Sequence, residues 1–214
     1  MLRTALGVGF LTALGGALAA CALPFDQGGA QAQPADPALL ALLVQSVGPG
    51  YQVDRRATGL MGLDEAAYSA PMPQGLTSEQ LKAHGFRGAA ARVWRSGDDF
   101  ITLAVYAFPD DDAARAFVDS LVSYLAKDTL GETYPSTHIP LGTGFELTST
   151  TKGGDRPIFC DGEMFSFGPR AYLVDNCGSQ PESPAVAADI AKSQYERAFT
   201  ADFGGTAGSP SPGR

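Results

Sequence analysis

Few residues of the chain have the types and spacing that catalysis needs. The 214-residue sequence contains two histidines, His84 and His138, which lie far apart and have no carboxylate or cysteine at the spacing of zinc ligands. The signatures of nucleophilic hydrolases, P-loop NTPases and dinucleotide-binding proteins are missing from the sequence. The sequence therefore predicts no catalytic residue, no metal site and no cofactor, and each histidine is interpreted as a surface or helix-end residue.

The carboxylates and aromatic residues favour structural roles. Asp110-Asp111-Asp112 could attract a divalent cation, but the run precedes an apolar stripe and is typical of a helix N-terminus. Asp161 and Glu163 alternate on one face of a predicted strand, where carboxylates more often face solvent. The aromatic residues could line a pocket, although core packing is their ordinary role. These residues are Trp94, Tyr106, Phe108, Phe165, Phe167 and Tyr172.

The two cysteines in the last third of the chain predict a disulfide. Apolar segments flank Gly168-Pro169, and a hairpin centred between these two residues places Cys160 directly opposite Cys177. The pair falls at a non-hydrogen-bonded position, where opposite Cα atoms lie about 4.5 Å apart, within the range that a disulfide accepts. The alternative is a free redox or metal-binding pair, which lacks the C-x-x-C spacing. A disulfide implies an oxidising compartment.

The third cysteine, Cys21, stands directly behind a short apolar run at the start of the chain. Residues 1–20 have the pattern of an export signal, with a weakly positive start at Arg3 and small residues at the end. Leu18-Ala19-Ala20-Cys21 resembles the lipobox of bacterial lipoproteins. The resemblance implies cleavage before Cys21 and a diacylglycerol on its sulfur, whose two acyl chains hold a protein on the bilayer. The alternative is an ordinary signal peptide that leaves Cys21 unmodified.

Charge limits the partners of the chain. The formal net charge is −8, and Arg3 is the only charged residue before Cys21, so the cleaved chain would carry one positive charge fewer, −9. No cluster of Lys and Arg is present that could bind nucleic acid or anionic lipid headgroups. The apolar run over 6–20 is shorter than the roughly 20 residues of a membrane-spanning helix. Membrane contact is therefore expected through the lipid on Cys21.

Composition divides the chain into four segments. Residues 1–20 form the signal, and residues 21–35, rich in Gln, Gly, Ala and Pro, form a flexible lipidated tether. Residues 36–203 have the length of one domain, and residues 204–214 form a disordered tail of Gly, Ser and Pro. We therefore predict a single folded unit held close to the membrane.

The patterns within residues 36–203 predict an α+β fold. Apolar segments on either side of the turn-rich Ser96-Gly97-Asp98-Asp99 predict a β-hairpin. Apolar residues at helical spacing over 113–125 predict a helix that packs on the sheet. We predict an antiparallel sheet built from β-hairpins, with helices packed on it and one disulfide. The other predicted elements are a helix over 38–47, short helices that begin at Asp64 and Thr77, extended segments around 137–139 and 145–147, and a helix that begins at Ser183.

Four short motifs mark the folded segment: residues 59–67, Gly85-Phe86-Arg87-Gly88, Arg92-Val93-Trp94, and residues 105–117. With these motifs the domain resembles uncharacterised secreted lipoproteins of actinobacteria, over residues 36–200. The order of sheet and helices also resembles extracytoplasmic sensor-type domains. The resemblance brings no family-wide catalytic residue. The lipobox, the tether, the single disulfide-linked domain and the missing catalytic motifs together predict a lipoprotein anchored on the extracytoplasmic face of the cell membrane, whose domain binds an unknown ligand or an envelope protein. An envelope hydrolase with a site assembled from distant residues and an accessory or structural subunit remain alternatives.

Overall fold

The structure is a computed structural model that describes residues 36–127, 131–150, 157–181 and 184–203. The predicted signal, tether and tail, and Cys21 with them, lie outside the described residues. Eight strands form one antiparallel sheet in the order β1-β3-β4-β8-β7-β6-β5, and β2 also pairs with β3. The strands are β1 (Gln52–Val53), β2 (Gly59–Met61), β3 (Gly88–Ser96), β4 (Asp99–Ala107), β5 (Gly131–Pro135), β6 (Thr143–Thr150), β7 (Pro157–Phe167) and β8 (Arg170–Gly178).

Five helices in the described residues cover the two faces of the sheet. Three of them, α2, α3 and α4, pack on one face, which we call the α4 face, and α1 and α5 pack on the other, the α5 face. None of the described helices is long and apolar enough to span a membrane. The predicted α+β class, with hairpins, packed helices and one disulfide, is confirmed. The helices are α1 (Ala38–Leu42), α2 (Leu63–Tyr68), α3 (Gln74–Ala83), α4 (Asp111–Leu125) and α5 (Pro184–Phe203).

The middle of the sheet is buried on both sides. Residues 100–106 of β4 and 171–178 of β8 are all buried, because helices cover each face. The aromatic residues divide between the two cores, with Tyr106 and Phe108 on the α4 face and Trp94, Phe165 and Tyr172 on the α5 face. Their predicted role in core packing is therefore confirmed, and Phe167 packs at the margin of the second core.

Helix α4 follows the sequence pattern closely. The carboxylate of Asp110 accepts a hydrogen bond from the Ala113 amide at 2.8 Å, so the acidic run caps the helix as expected. The apolar stripe of the helix, which includes Phe117 and Leu121, is buried against the sheet. Among the described residues, no group of three or more His, Cys, Asp or Glu side chains has an arrangement that could hold a metal ion.

Helix α1 is shorter than predicted, and side chains from β3 and α5 bind the carbonyl groups at its C-terminal end and just beyond it. Arg92 of β3 donates to the carbonyl oxygens of Leu43 and Val44, at 3.3 and 2.6 Å. Arg197 of α5 donates to the Leu42 carbonyl at 2.8 Å, and the buried Gln194 donates to the same carbonyl at 3.1 Å. Leu43 is already extended, so the chain leaves the helix after Leu42 instead of after Val47.

Two other boundaries differ from the prediction. Helix α3 begins at Gln74, and Thr77 is a buried residue inside it whose hydroxyl donates to the carbonyls of Met72 and Pro73. A threonine hydroxyl bonded to the preceding turn is compatible with a helix interior. The extended segment predicted around 137–139 is a loop, and the strand lies earlier, at Gly131–Pro135. The strand ends there because Pro135 and Pro140 bracket a tightly bonded turn.

Candidate binding site

The loop between β5 and β6, residues 136–142, is held by an internal network of hydrogen bonds. The hydroxyl of Ser136 accepts from the backbone amides of His138 and Ile139, at 3.2 and 3.1 Å. The Ser136 amide donates to the Gly142 carbonyl at 2.9 Å, and the Gly142 amide donates to the Ile139 carbonyl at 3.0 Å. Ile139 is buried in the core of the α5 face. We call this segment the Leu141 loop.

Leu141 is unusual in both its backbone conformation and its exposure. Its φ of 61° lies in the left-handed region, which a leucine occupies at a cost of roughly 1–2 kcal/mol, and its side chain is 87% exposed. The next residue, Gly142, has no room for a Cβ atom, because that atom would lie 2.9 Å from Cβ of Ile139. The loop therefore holds a large apolar side chain in solvent at a fixed place, a feature that points to a function in binding.

A groove of about 470 Å³ lies beside Leu141, between helix α4 and the last strand of the sheet. Its walls combine apolar and hydroxyl groups, and Arg115 and Asp119 of α4 are the charged residues among its described lining. Neither of these two residues forms an ion pair with another described residue. The lining residues are Arg115, Val118, Asp119, Val122, Thr133, Tyr134, Pro135, Leu141, Gly142, Thr143 and Ser166.

The α5 face of the same edge is strongly acidic. Strand pairing places Glu132 opposite Glu146, and Glu146 opposite Asp161, so three carboxylates form a row across β5, β6 and β7. Glu132 and Glu146 are exposed, whereas Asp161 is buried and accepts a hydrogen bond from the amide of Asn176 at 3.2 Å. Burial, followed by the charges of Glu146, Asp161 and a fourth carboxylate, Glu163, raises the pKa of Tyr134 to about 12.

Glu163 supports the Leu141 loop from below. It is 3% exposed, and its Oε2 atom accepts a hydrogen bond from the Ser136 hydroxyl at 2.7 Å. Burial raises the pKa of Glu163, and the Ser136 bond and the charge of His138 oppose that rise. The predicted solvent-facing role of Asp161 and Glu163 is therefore wrong, because α5 and the Leu141 loop cover this part of the sheet.

Ser136, His138 and Glu163 do not form a catalytic triad. In a triad the histidine accepts the proton of the serine hydroxyl and the acid orients the histidine. Here the serine hydroxyl donates directly to Glu163, while two backbone amides occupy its acceptor positions. The arrangement fixes a loop and leaves no activated nucleophile. His84, the other histidine, lies at the C-terminal end of α3, in agreement with its predicted helix-end role.

The disulfide lies at the predicted position in the β7–β8 hairpin. Cys160 pairs with Cys177, and their Cα atoms are 4.1 Å apart. The next pair on the same face is Gly162 with Asp175, whose carboxyl group is buried and whose Oδ1 atom has no hydrogen-bond partner among the described residues. Burial and then the charge of Asp161 raise the pKa of Asp175 to about 8, so this carboxyl is largely protonated at neutral pH.

A second cavity, of about 320 Å³, lies on the same α4 face but at the opposite edge of the sheet, beside β2 and the start of β3. Lys82 and Arg87 stand at its rim, and Met61, Leu63 and Phe86 form part of its wall. This cavity is smaller than the Leu141 groove and has no exposed apolar residue in a left-handed conformation beside it. The groove is therefore the stronger candidate for a binding site.

Residue patterns did not identify the groove. Its residues come from α4, β5, β6, β7 and the Leu141 loop, so it forms only when the sheet is assembled. The local sequence signal is Pro140-Leu141-Gly142, in which a leucine stands between two residues that are common in turns. This pattern indicates a turn, but it does not indicate that the leucine is exposed.

Comparison with known proteins extends the fold assignment. No family model matches the chain, and no curated protein matches it. The extracellular domain of PknH from Mycobacterium tuberculosis has a similar fold, with a TM-score of 0.50 and 18% identity over 77% of this chain and 99% of that one. An uncharacterised protein from Mycobacterium smegmatis aligns with a TM-score of 0.46 and 15% identity, over 78% of this chain and 98% of that one. At 18% identity, the likeness to the PknH domain shows a shared fold.

Proposed function

We propose that this protein is a non-catalytic binding domain, anchored by a lipid on Cys21 at the extracytoplasmic face of the cell membrane. The observation that carries the binding role is Leu141, an exposed apolar side chain held in a left-handed conformation at the rim of a groove. An envelope protein or another ligand with an apolar group would bury that side chain.

Three observations support the location. The chain begins with an export-signal pattern that ends in Leu18-Ala19-Ala20-Cys21. The domain carries a disulfide, and disulfides persist in oxidising compartments outside the cytoplasm. Its fold is shared with a domain described as the extracellular part of PknH.

The clasp around the end of α1 suits a tethered domain. Gln194 and Arg197 donate to the carbonyl of Leu42, the last residue of α1, and Arg92 donates to the carbonyls of Leu43 and Val44 beyond it. Gln194 also accepts from the Val44 amide at 3.0 Å. Residues 21–35 lead directly into this helix. In the proposal, the clasp holds the C-terminal end of α1 on the domain, so the helix into which the tether leads is fixed in place.

The experiment that tests the proposal is the intact mass of the protein, extracted gently from its own membrane fraction and measured under non-denaturing conditions. We expect a chain that begins at Cys21, carries a diacylglycerol and lacks two hydrogens because Cys160 and Cys177 are joined. Additional bound mass would report a ligand. A soluble chain with an unmodified Cys21 would contradict the anchoring.

A further inference from the structure

Strand β5 is the last strand in the order of the sheet and pairs with β6. Among the described residues no strand pairs with β5 on the side away from β6. An edge strand directs alternate amide and carbonyl groups outward and can accept another extended segment as a new strand. We infer that the outer edge of β5 binds an extended segment of a partner protein in which apolar and basic residues alternate. The inference rests on the proposed binding function and names the kind of partner.

The strand register decides which chemistry faces each side of the edge. Gly131 and Thr133 pair with Leu147 and Phe145, both buried in the core of the α4 face. Glu132 lies between them and points to the other face. A segment added to β5 would therefore alternate in the same way, with every second side chain on the α4 face.

The α4 side of the edge favours apolar side chains. Thr133 lines the groove together with Val118 and Val122 of α4 and the exposed Leu141. A side chain placed beside Thr133 on an added strand would lie at the mouth of this groove. Burial of that side chain and of Leu141 would remove apolar surface from water, which favours association.

The α5 side of the edge favours basic side chains. Glu132 and Glu146 are directly opposite each other, both are exposed, and neither forms an ion pair with another described residue. Like charges at opposite positions destabilise a sheet, and a cation beside them relieves the repulsion. A lysine or arginine next to Glu132 on an added strand would supply that cation.

The same charges disfavour self-association through this edge. A second copy paired through its own β5 would bring another Glu132 and Glu146 to a site that already holds these two exposed carboxylates. The net charge of −8 adds general repulsion between copies. A separate basic segment is therefore the occupant that the edge fits.

The test is fluorescence polarisation with a labelled synthetic peptide, Gly-Val-Lys-Val-Lys-Val-Gly, capped at both ends and titrated with the purified domain at low salt. We expect saturable binding, together with slower hydrogen exchange in residues 131–135. Glu132→Lys should weaken binding roughly fivefold, because an attractive surface charge pair becomes a repulsive one. Glu79→Lys is the matched control, since Glu79 is also exposed but lies on α3, away from β5.

A second peptide tests the strand pairing itself. Methyl groups on alternate backbone nitrogens leave the side chains unchanged and remove the outward hydrogen bonds, so binding should fall about tenfold or more. Equal binding of the methylated peptide, no saturable binding of the unmodified one, or an equal effect of Glu79→Lys would overturn the inference. The intact-mass experiment does not depend on these outcomes, so failure of this inference and failure of the proposed function can be told apart.

Discussion

The β7–β8 and β5–β6 hairpins lie side by side in one sheet but differ in their turns, their crosslinks and their exposure. The first is joined by a two-residue turn, keeps an unbroken register from Phe159 and Gly178 to Phe167 and Arg170, and is closed by a disulfide. The second has a seven-residue loop, an exposed leucine at positive φ and two exposed glutamates opposite each other, and no other described strand pairs with its outer edge. In our proposal, the first hairpin supports the fold and the second binds the partner.

The largest expected effect tests the structural hairpin. Cys160→Ser should lower the free energy of unfolding by about 3 kcal/mol, because the disulfide restricts the unfolded chain over a separation of 17 residues. Urea unfolding in oxidising buffer measures the change, and the reduced native sequence should match the variant. An unchanged midpoint would show that the disulfide does not stabilise this hairpin.

Asp175→Asn, in the same β7–β8 hairpin, should raise the free energy of unfolding instead of lowering it. In the folded state the pKa of Asp175 is about 8, against 3.8 for an ordinary aspartate, so the folded protein binds more protons between these values. The contribution of this carboxyl to stability should therefore be fully present below pH 4 and be lost as the pH rises to about 8. The pKa difference corresponds to at most about 4 kcal/mol at pH 7, and a buried amide recovers part of this, so we expect about 2 kcal/mol of stabilisation at pH 8.

Urea unfolding at pH 5 and pH 8 measures this dependence. The Asn variant should gain stability at pH 8 and much less at pH 5, while Asp119→Asn, an exposed control on α4, should change neither. Parallel pH profiles for the native sequence and Asp175→Asn would show that this carboxyl does not titrate as described.

Ser136→Ala tests the support of the Leu141 loop. The change removes the donor to buried Glu163 and the acceptor of two backbone amides, so we expect a loss of about 1–2 kcal/mol. Hydrogen exchange should become faster in residues 136–142 and stay unchanged in β7 and β8 beyond the global effect. Uniform acceleration across the sheet would mean that the loop is not a separate local unit.

The smallest expected effect concerns Leu141 itself. Leu141→Asn should raise stability by about 0.5 kcal/mol, because asparagine tolerates the left-handed conformation better and exposes no large apolar surface. Thermal unfolding measures it, with Leu76→Asn on α3 as a control at another exposed leucine. A loss of stability in Leu141→Asn alone would indicate that the leucine packs within the fold instead of serving a partner.

The β7–β8 hairpin could be predicted from the sequence because residues close together in the chain determine its turn and register. Gly168-Pro169 places the turn, and the cysteine positions then fix the register without knowledge of any other element. The stripe of α4 and its Asp110 cap were predictable for the same reason. Each of these features depends on residues within about 20 positions of one another.

The second hairpin could not be predicted in the same way. Pro135 and Pro140 interrupt the apolar pattern of this segment. The sequence therefore predicts an extended segment around 137–139, whereas the strand lies at Gly131–Pro135. The loop is set by the bond between Ser136 and Glu163, which are 27 residues apart, and the exposure of Glu132 and Glu146 depends on the order of the strands. Both features depend on tertiary contacts, which local sequence patterns do not predict.

The most direct test of the central claim, that the β5–β6 hairpin is the binding region, is photo-crosslinking in the native membrane. A photoreactive phenylalanine analogue replaces Leu141 in the full-length chain, and the same analogue replaces Leu76 as the control. We expect a discrete crosslinked product at Leu141 that Glu132→Lys diminishes, and no such product at Leu76. Equal products at both positions, or none at Leu141 when the lipidated protein is in the membrane, would contradict the claim.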